Sequence, residues 1–217
     1  MKKVIRPIPK DEEIILNPYK TIMSKTNQKG IIEYANDYFM EVSGYKEWEL
    51  MGQPHNILRH PDMPKLVFKL LWDRLNNAQP IYAIVKNLAK DGRYYWVVAD
   101  FKTKIDSDGN VTHYARRKAV PQKAKEKISK IYNNILEIEK SAGLEASEAY
   151  FSGMLEDGGI TYDEFIHGLL ELDEKQLHDY MSSEISDDKF VEGQNYSAEE
   201  AIQKTTKKKG LFGKLFS

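Results

Sequence analysis

Two Asp-Gly pairs limit this chain's folding more than any other feature. Lys90-Asp91-Gly92-Arg93 and Ser107-Asp108-Gly109-Asn110 are tight-turn sequences, and each separates runs rich in β-branched and aromatic residues. The runs are Ile81 to Leu88, Tyr94 to Thr103 and Val111 to Val120. Strands joined by turns this short pair antiparallel. A second hairpin lies upstream: Tyr19 to Thr26 alternates, Asn27-Gln28-Lys29-Gly30 turns, and Ile31 to Ala35 resumes. Between the hairpins, the spacing predicts three short helices. Asn36 caps one that carries Tyr38, Phe39 and Val42 and stops at Gly44; a second covers Lys46 to Met51; a third starts at Pro64 and repeats Leu66, Val67, Leu70, Leu71 and Leu75. Five short antiparallel strands with helices on one face make an α+β domain, with room for a ligand pocket between the layers.

The loop joining the last two helices, residues 52 to 64, is dense in polar side chains: His55, Asn56, Arg59, His60 and Asp62. Pro54, Pro61 and Pro64 stiffen it, so holding those side chains in place costs little entropy. It reads either as a binding loop or as a helix connection whose Arg and Asp pair on the surface. His55 and Asn56 fit a bracing role. A metal or haem reading of His55, His60 and His113 fits poorly, because two of the three lie in the stiffened loop without helical ligand spacing.

Composition excludes several classes of function. The chain has no cysteine, which removes disulfides, thiolate metal sites and cysteine nucleophiles together. A net charge of -1 gives no global basic excess of the kind a nucleic-acid binder shows. No run of about 18 apolar residues occurs, and the N-terminus lacks a signal-peptide core, so a cytoplasmic protein is expected. No nucleophile and base fall at a plausible spacing and no phosphate-binding glycine loop exists, so catalysis is not expected.

The ordered strings Asn36-Asp37-Tyr38-Phe39, Val42-Ser43-Gly44-Tyr45, Gly52-Gln53-Pro54-His55-Asn56-Ile57, Arg59-His60-Pro61-Asp62-Met63-Pro64, Val85-Lys86-Asn87 and Gly92-Arg93-Tyr94-Tyr95-Trp96-Val97 resemble the PAS sensor domain of bacterial aerotaxis receptors. The resemblance covers about a hundred residues, and the Arg-His-Pro-Asp-Met-Pro string is its specific part. It implies a PAS fold that binds FAD non-covalently and reports redox state to the chemotaxis machinery. It further implies that Arg59, His60 and Asp62 form the flavin loop and that Asn36 and Asn87 lie within reach of the isoalloxazine. A carboxamide can meet both the acceptors and the imide donor of that ring, and an arginine fork suits ring carbonyls or phosphate. One position departs from the family: Tyr82 stands where tryptophan is usual, keeping an aromatic face and losing the indole donor.

Around this domain, expected over 20–120, residues 1–19 read as an N-terminal arm or cap. Residues 121–182 read as a helical extension that packs on itself or on the domain, or alternatively serves as a partner or dimer helix. Ile128, Ile131, Ile135 and Ile138 mark its first helix; a second runs near Ala146 to Leu155; Phe165, Ile166, Leu169, Leu170, Leu172 and Leu177 stripe a third, capped by Thr161 and Glu164. Residues 183–217 read as an acidic linker and a basic tail suited to peripheral membrane contact or a partner groove. Two functions are consistent with the whole. One is an FAD-binding redox or energy sensor signalling through a separate chemoreceptor-like transducer; the alternative is a cofactor-free PAS adaptor that dimerises or scaffolds a partner.

Overall fold

In the computed structural model, which describes residues 6–183 and 197–203, the strands are β1 (Ile22–Asn27), β2 (Ile32–Ala35), β3 (Ile81–Leu88), β4 (Tyr94–Ile105) and β5 (Val111–Ala119). They form one sheet in the order β2-β1-β5-β4-β3, and every neighbouring pair is antiparallel. Both Asp-Gly glycines have positive φ, Gly92 at 93° and Gly109 at 81°. Gly92 is also constrained by space: a Cβ there would collide with the carbonyl of Ile8 in the N-terminal arm. That arm runs beside the start of β4, with Ile14 N–H donating to the Tyr94 carbonyl and Tyr94 N–H to that of Glu12.

Register assigns side chains to the two faces of the sheet. Ser24, Thr26, Val85, Asn87, Phe101, His113, Ala115 and Arg117 line a cavity on the inner face. On that side lie α1 (Asp37–Ser43), α2 (Glu47–Leu50), a 3-10 turn at His55–Leu58 and α3 (Lys65–Asn76). The alternate residues Tyr82, Trp96, Asp100, Arg116 and Lys118 point to the outer face.

The helical extension covers that outer face. It consists of α4 (Gln122–Ala142), α5 (Leu144–Asp157), α6 (Tyr162–Leu170) and α7 (Glu174–Ser182). On α4, Ala124, Ile128, Tyr132 and Ile135 recur at helical spacing and are buried. Three tyrosine hydroxyls fasten the layer to strand carbonyls: Tyr132 to Ile84 at 2.7 Å, Tyr162 to Tyr82 at 3.0 Å and Tyr180 to Ala119 at 2.9 Å. Trp96 stacks on Tyr132, so Tyr95 and Trp96 are both buried on opposite faces. One hydrophobic cluster therefore runs from Leu16 through the sheet to Ile202.

The stripe from Phe165 to Leu177 is not one helix. Glu171 turns left-handed (φ 56°), and Asp173 opens α7 with a capping box, accepting from Gln176 N–H while the Gln176 side chain accepts from Asp173 N–H. An Asp followed three residues later by Gln is a start signal inside an otherwise continuous apolar pattern. Of the acidic linker and basic tail expected at 183–217, residues 184–196 and 204–217 lie outside the described residues, whereas 198–203 are helical, with Ala198, Ala201 and Ile202 buried and Glu199 accepting from Gln122 N–H, so this part packs on the fold instead of serving as linker.

Candidate functional site

Between α3 and the inner face lies a cavity of about 370 Å³, a size that suits a small heterocycle. Phe68, Leu71, Trp72 and Leu75 form its apolar wall. Their spacing of i, i+3, i+4 and i+7 places all four on one stripe of α3. Val85, Phe101 and Ala115 close the apolar side from the sheet, and Lys29, Gly30, Pro54, His55, Asn56 and Arg59 line the rest of the wall from loops. Gly30 has φ 71°, and a Cβ there would stand 3.0 Å from the Trp72 ring. That glycine serves both the turn and the close approach of the indole.

Polar groups enter from the strands. Asn87 is 5% exposed, and its carboxamide has no hydrogen-bond partner among the described residues. Arg117 is 3% exposed; its guanidinium donates to Ser24 Oγ at 2.9 Å and to His55 Nε2 at 2.9 Å, between the Phe39 and Phe101 rings. Because arginine only donates, His55 must accept with Nε2 and carry its proton on Nδ1. Burial, reinforced by the Arg117 charge, pushes His55 down to about 3. Burial also lowers Arg117, to about 10, which leaves it charged at neutral pH.

Of the residues singled out by sequence, the structure brings Arg59 and Asn87 together on this wall. Their backbones form an antiparallel bridge, and Arg59 lies over the Phe68 ring at 4.2 Å while donating to the Met63 carbonyl at 3.1 Å. The other four lie off the wall. Asn36 is a structural cap: its Oδ1 accepts from Phe39 and Met23 N–H and its Nδ2 donates to the Thr21 carbonyl. His60 is buried against the edge of Tyr94, and its Nδ1 accepts from Asp62 N–H at 3.1 Å. Burial, with Lys86 nearby, holds His60 below the ordinary histidine range. Asp62 pairs with Lys86 at 2.7 Å, which lowers its carboxyl. Tyr82 faces outward, edge-on to His167 of α6 at 6.3 Å, so the position where this chain departs from the family's tryptophan lies on the face away from the cavity.

His55 and Asn56, expected to brace the loop, line the cavity, as does His113, whose Nδ1 is 2.9 Å from Thr103 Oγ1. Among the described residues no three His, Asp or Glu side chains form a metal-binding group. Sequence reading missed Arg117. A signal existed, because adjacent Arg116 and Arg117 on a strand must point to opposite faces, and one face was already expected to hold the core.

The loop is also tied to the extension. Glu139 on α4 accepts from the Lys65 and Leu66 N–H groups at 3.0 and 2.8 Å, supplying the N-terminal cap that Pro64 cannot give α3.

Residues 32–115 match the PAS fold family. Over 94 residues the chain is 46% identical to the aerotaxis receptor of Escherichia coli (strain K12), a match covering 43% of this chain and 18% of that protein. It is 29% identical over 92 residues to a nitrogen fixation regulatory protein of Klebsiella pneumoniae, covering 42% of this chain and 19% of that one. These matches span less than a fifth of each curated relative. A solved structure of the blue-light photoreceptor Aureochrome1 LOV in its dark state superposes with a TM-score of 0.45 at 20% identity, over 54% of this chain and 86% of that one.

Proposed function

We propose that this chain, which carries a PAS domain, is a redox or energy sensor of the aerotaxis type. It holds FAD non-covalently in the cavity between α3 and the sheet and passes its state to a separate chemotaxis transducer. The Asn87 carboxamide carries this reading: it is buried at the cavity, unpartnered, and offers a donor and an acceptor side by side, as an imide edge requires. An aromatic wall of Phe68, Trp72 and Phe101 and an arginine at the rim complete a fit to a flavin ring with an anionic tail. The similarity to the aerotaxis receptor supports the same assignment.

Bound flavin would supply reversible electron uptake. The residues then divide the work. Asn87 meets the ring edge; Arg59, bridged to Asn87 through the backbone, ties the rim to the wall; His60 and Asp62 hold the loop from behind through Lys86. Asn87 also lies between Lys86 and Leu88, which belong to the opposite face. A shift at Asn87 therefore reaches the surface beneath the helical extension within one residue. Among the described residues no helix is long and apolar enough to cross a membrane.

The test is the visible absorption spectrum of the purified protein, before and after dithionite and after incubation with excess FAD. Flavin bands that bleach on reduction are expected, and Asn87→Ala should weaken them. A colourless protein that takes up no FAD would overturn the reading in favour of a cofactor-free adaptor, and a Soret band would overturn it in favour of haem.

A further inference from the structure

Arg116 and Arg117 are neighbours on β5 with opposite fates. Arg116 Nη2 meets the buried carboxylate of Asp100 at 3.2 Å. Arg117 is more deeply buried, and among the described residues no carboxylate lies within ion-pair distance of it. Its two hydrogen-bond partners, Ser24 Oγ and His55 Nε2, are neutral. The phenol of Tyr95 shares the inner face, and burial raises it far from ionisation, so it supplies no anion either. Removing a cation from water without an anion beside it is costly. The same fold could be filled by a methionine of similar length at no such cost. Arg117 lines the cavity between two aromatic rings, so the missing negative charge has a place to enter.

We infer that Arg117 is the counter-ion of the cavity's ligand. The site takes a planar ligand that carries, or can take on, negative charge at ring carbonyls and ring nitrogens, and Arg117 governs how readily that charge forms. This deepens the flavin reading and rests on it for the ligand, but not for the reason the arginine is buried. Ser24 and His55 are then positioning residues that aim the guanidinium, using donors a ligand would leave spare.

Two measurements on the full chain test it. The first needs no ligand: thermal unfolding of ligand-free Arg117→Met against the parent protein. A charge retained for a ligand predicts a midpoint equal to or above the parent's; a fall of several degrees would make Arg117 a structural strut and overturn the inference. The second uses 8-hydroxy-FAD, whose 8-hydroxyl ionises to a coloured anion with charge spread to the carbonyl edge of the ring. Bound to the parent protein it should ionise at least tenfold more readily than when bound to Arg117→Met, with Arg117→Lys restoring part of the difference. Equal ionisation in parent and Arg117→Met would overturn the inference while leaving the flavin reading intact. Failure of the parent to bind either FAD or the analogue would sink the flavin reading, and the unfolding comparison alone would then decide the role of Arg117.

Discussion

On the outer face of the sheet, Asp100 is 3% exposed and meets Arg116 at 3.2 Å and Lys102 at 3.8 Å. On the inner face, one residue further along β5, Arg117 is equally buried and meets no acid among the described residues. The outer face is completed by its own chain: tyrosine hydroxyls reach strand carbonyls, Trp96 stacks on Tyr132, and Lys118 donates to Ser183. On the inner face, among the described residues, the Asn87 carboxamide has no partner and the Arg117 charge no acid, and both line the cavity. Burial alone thus does not distinguish scaffold from site; the state of the buried polar groups does.

That contrast can be broken most severely by Trp96→Ala. Losing the stacked indole from the outer face should cost about 3–5 kcal/mol in urea unfolding, while ligand affinity of the folded protein is unchanged. A loss below about 1 kcal/mol would mean that the extension is not held by the sheet. Asp100→Ala strands Arg116, which is partly exposed and can recover water, so the expected cost is about 2 kcal/mol. Arg117→Met, on the other face, should cost nothing. If the two variants behaved alike in denaturant, the distinction between the faces would be lost.

Acid sharpens the comparison. His55 is held neutral down to about 3 in the fold and titrates near its ordinary 6.5 when unfolded. Between those values the unfolded chain binds a proton that the native chain refuses, so stability falls as pH drops from 6.5 towards 3, by up to about 1.4 kcal/mol per pH unit. His55→Gln keeps an acceptor for Arg117 and should flatten this slope, as read from unfolding midpoints across the window. Of the changes expected to weaken the fold, the smallest is Tyr162→Phe, which removes one hydroxyl bond to the Tyr82 carbonyl and should cost about 1 kcal/mol. A loss above about 3 kcal/mol would show that the hydroxyl serves more than that one bond.

The sheet was legible because turn chemistry and period-two alternation are local. Ile81–Leu88 is the strand expected, and the others differ only at their ends, as with the extension of β4 to Ile105. The break between α6 and α7 was written in Asp173 and Gln176, but the hydrophobic pattern on either side masked it. The site was half legible. Arg59 and Asn87 stand out because they sit in distinctive strings, whereas Arg117 sits in a basic run that looks like solvated surface until the register of β5 is known. The placement of Tyr82 depended on what covers the far side of the sheet, which α6 decides from eighty residues away.

The Glu139 cap has a consequence for how the molecule assembles. The wall of the cavity is α3, and the first turn of α3 is completed by a carboxylate more than seventy residues downstream. Before α4 docks, the Lys65 and Leu66 amides have only water to bond, and the helix that carries Phe68 and Trp72 frays from that end. Closing so long a loop is entropically slow compared with forming the hairpins. The cavity is therefore among the last parts of the chain to become rigid, even though every residue lining it has been synthesised before α4 begins.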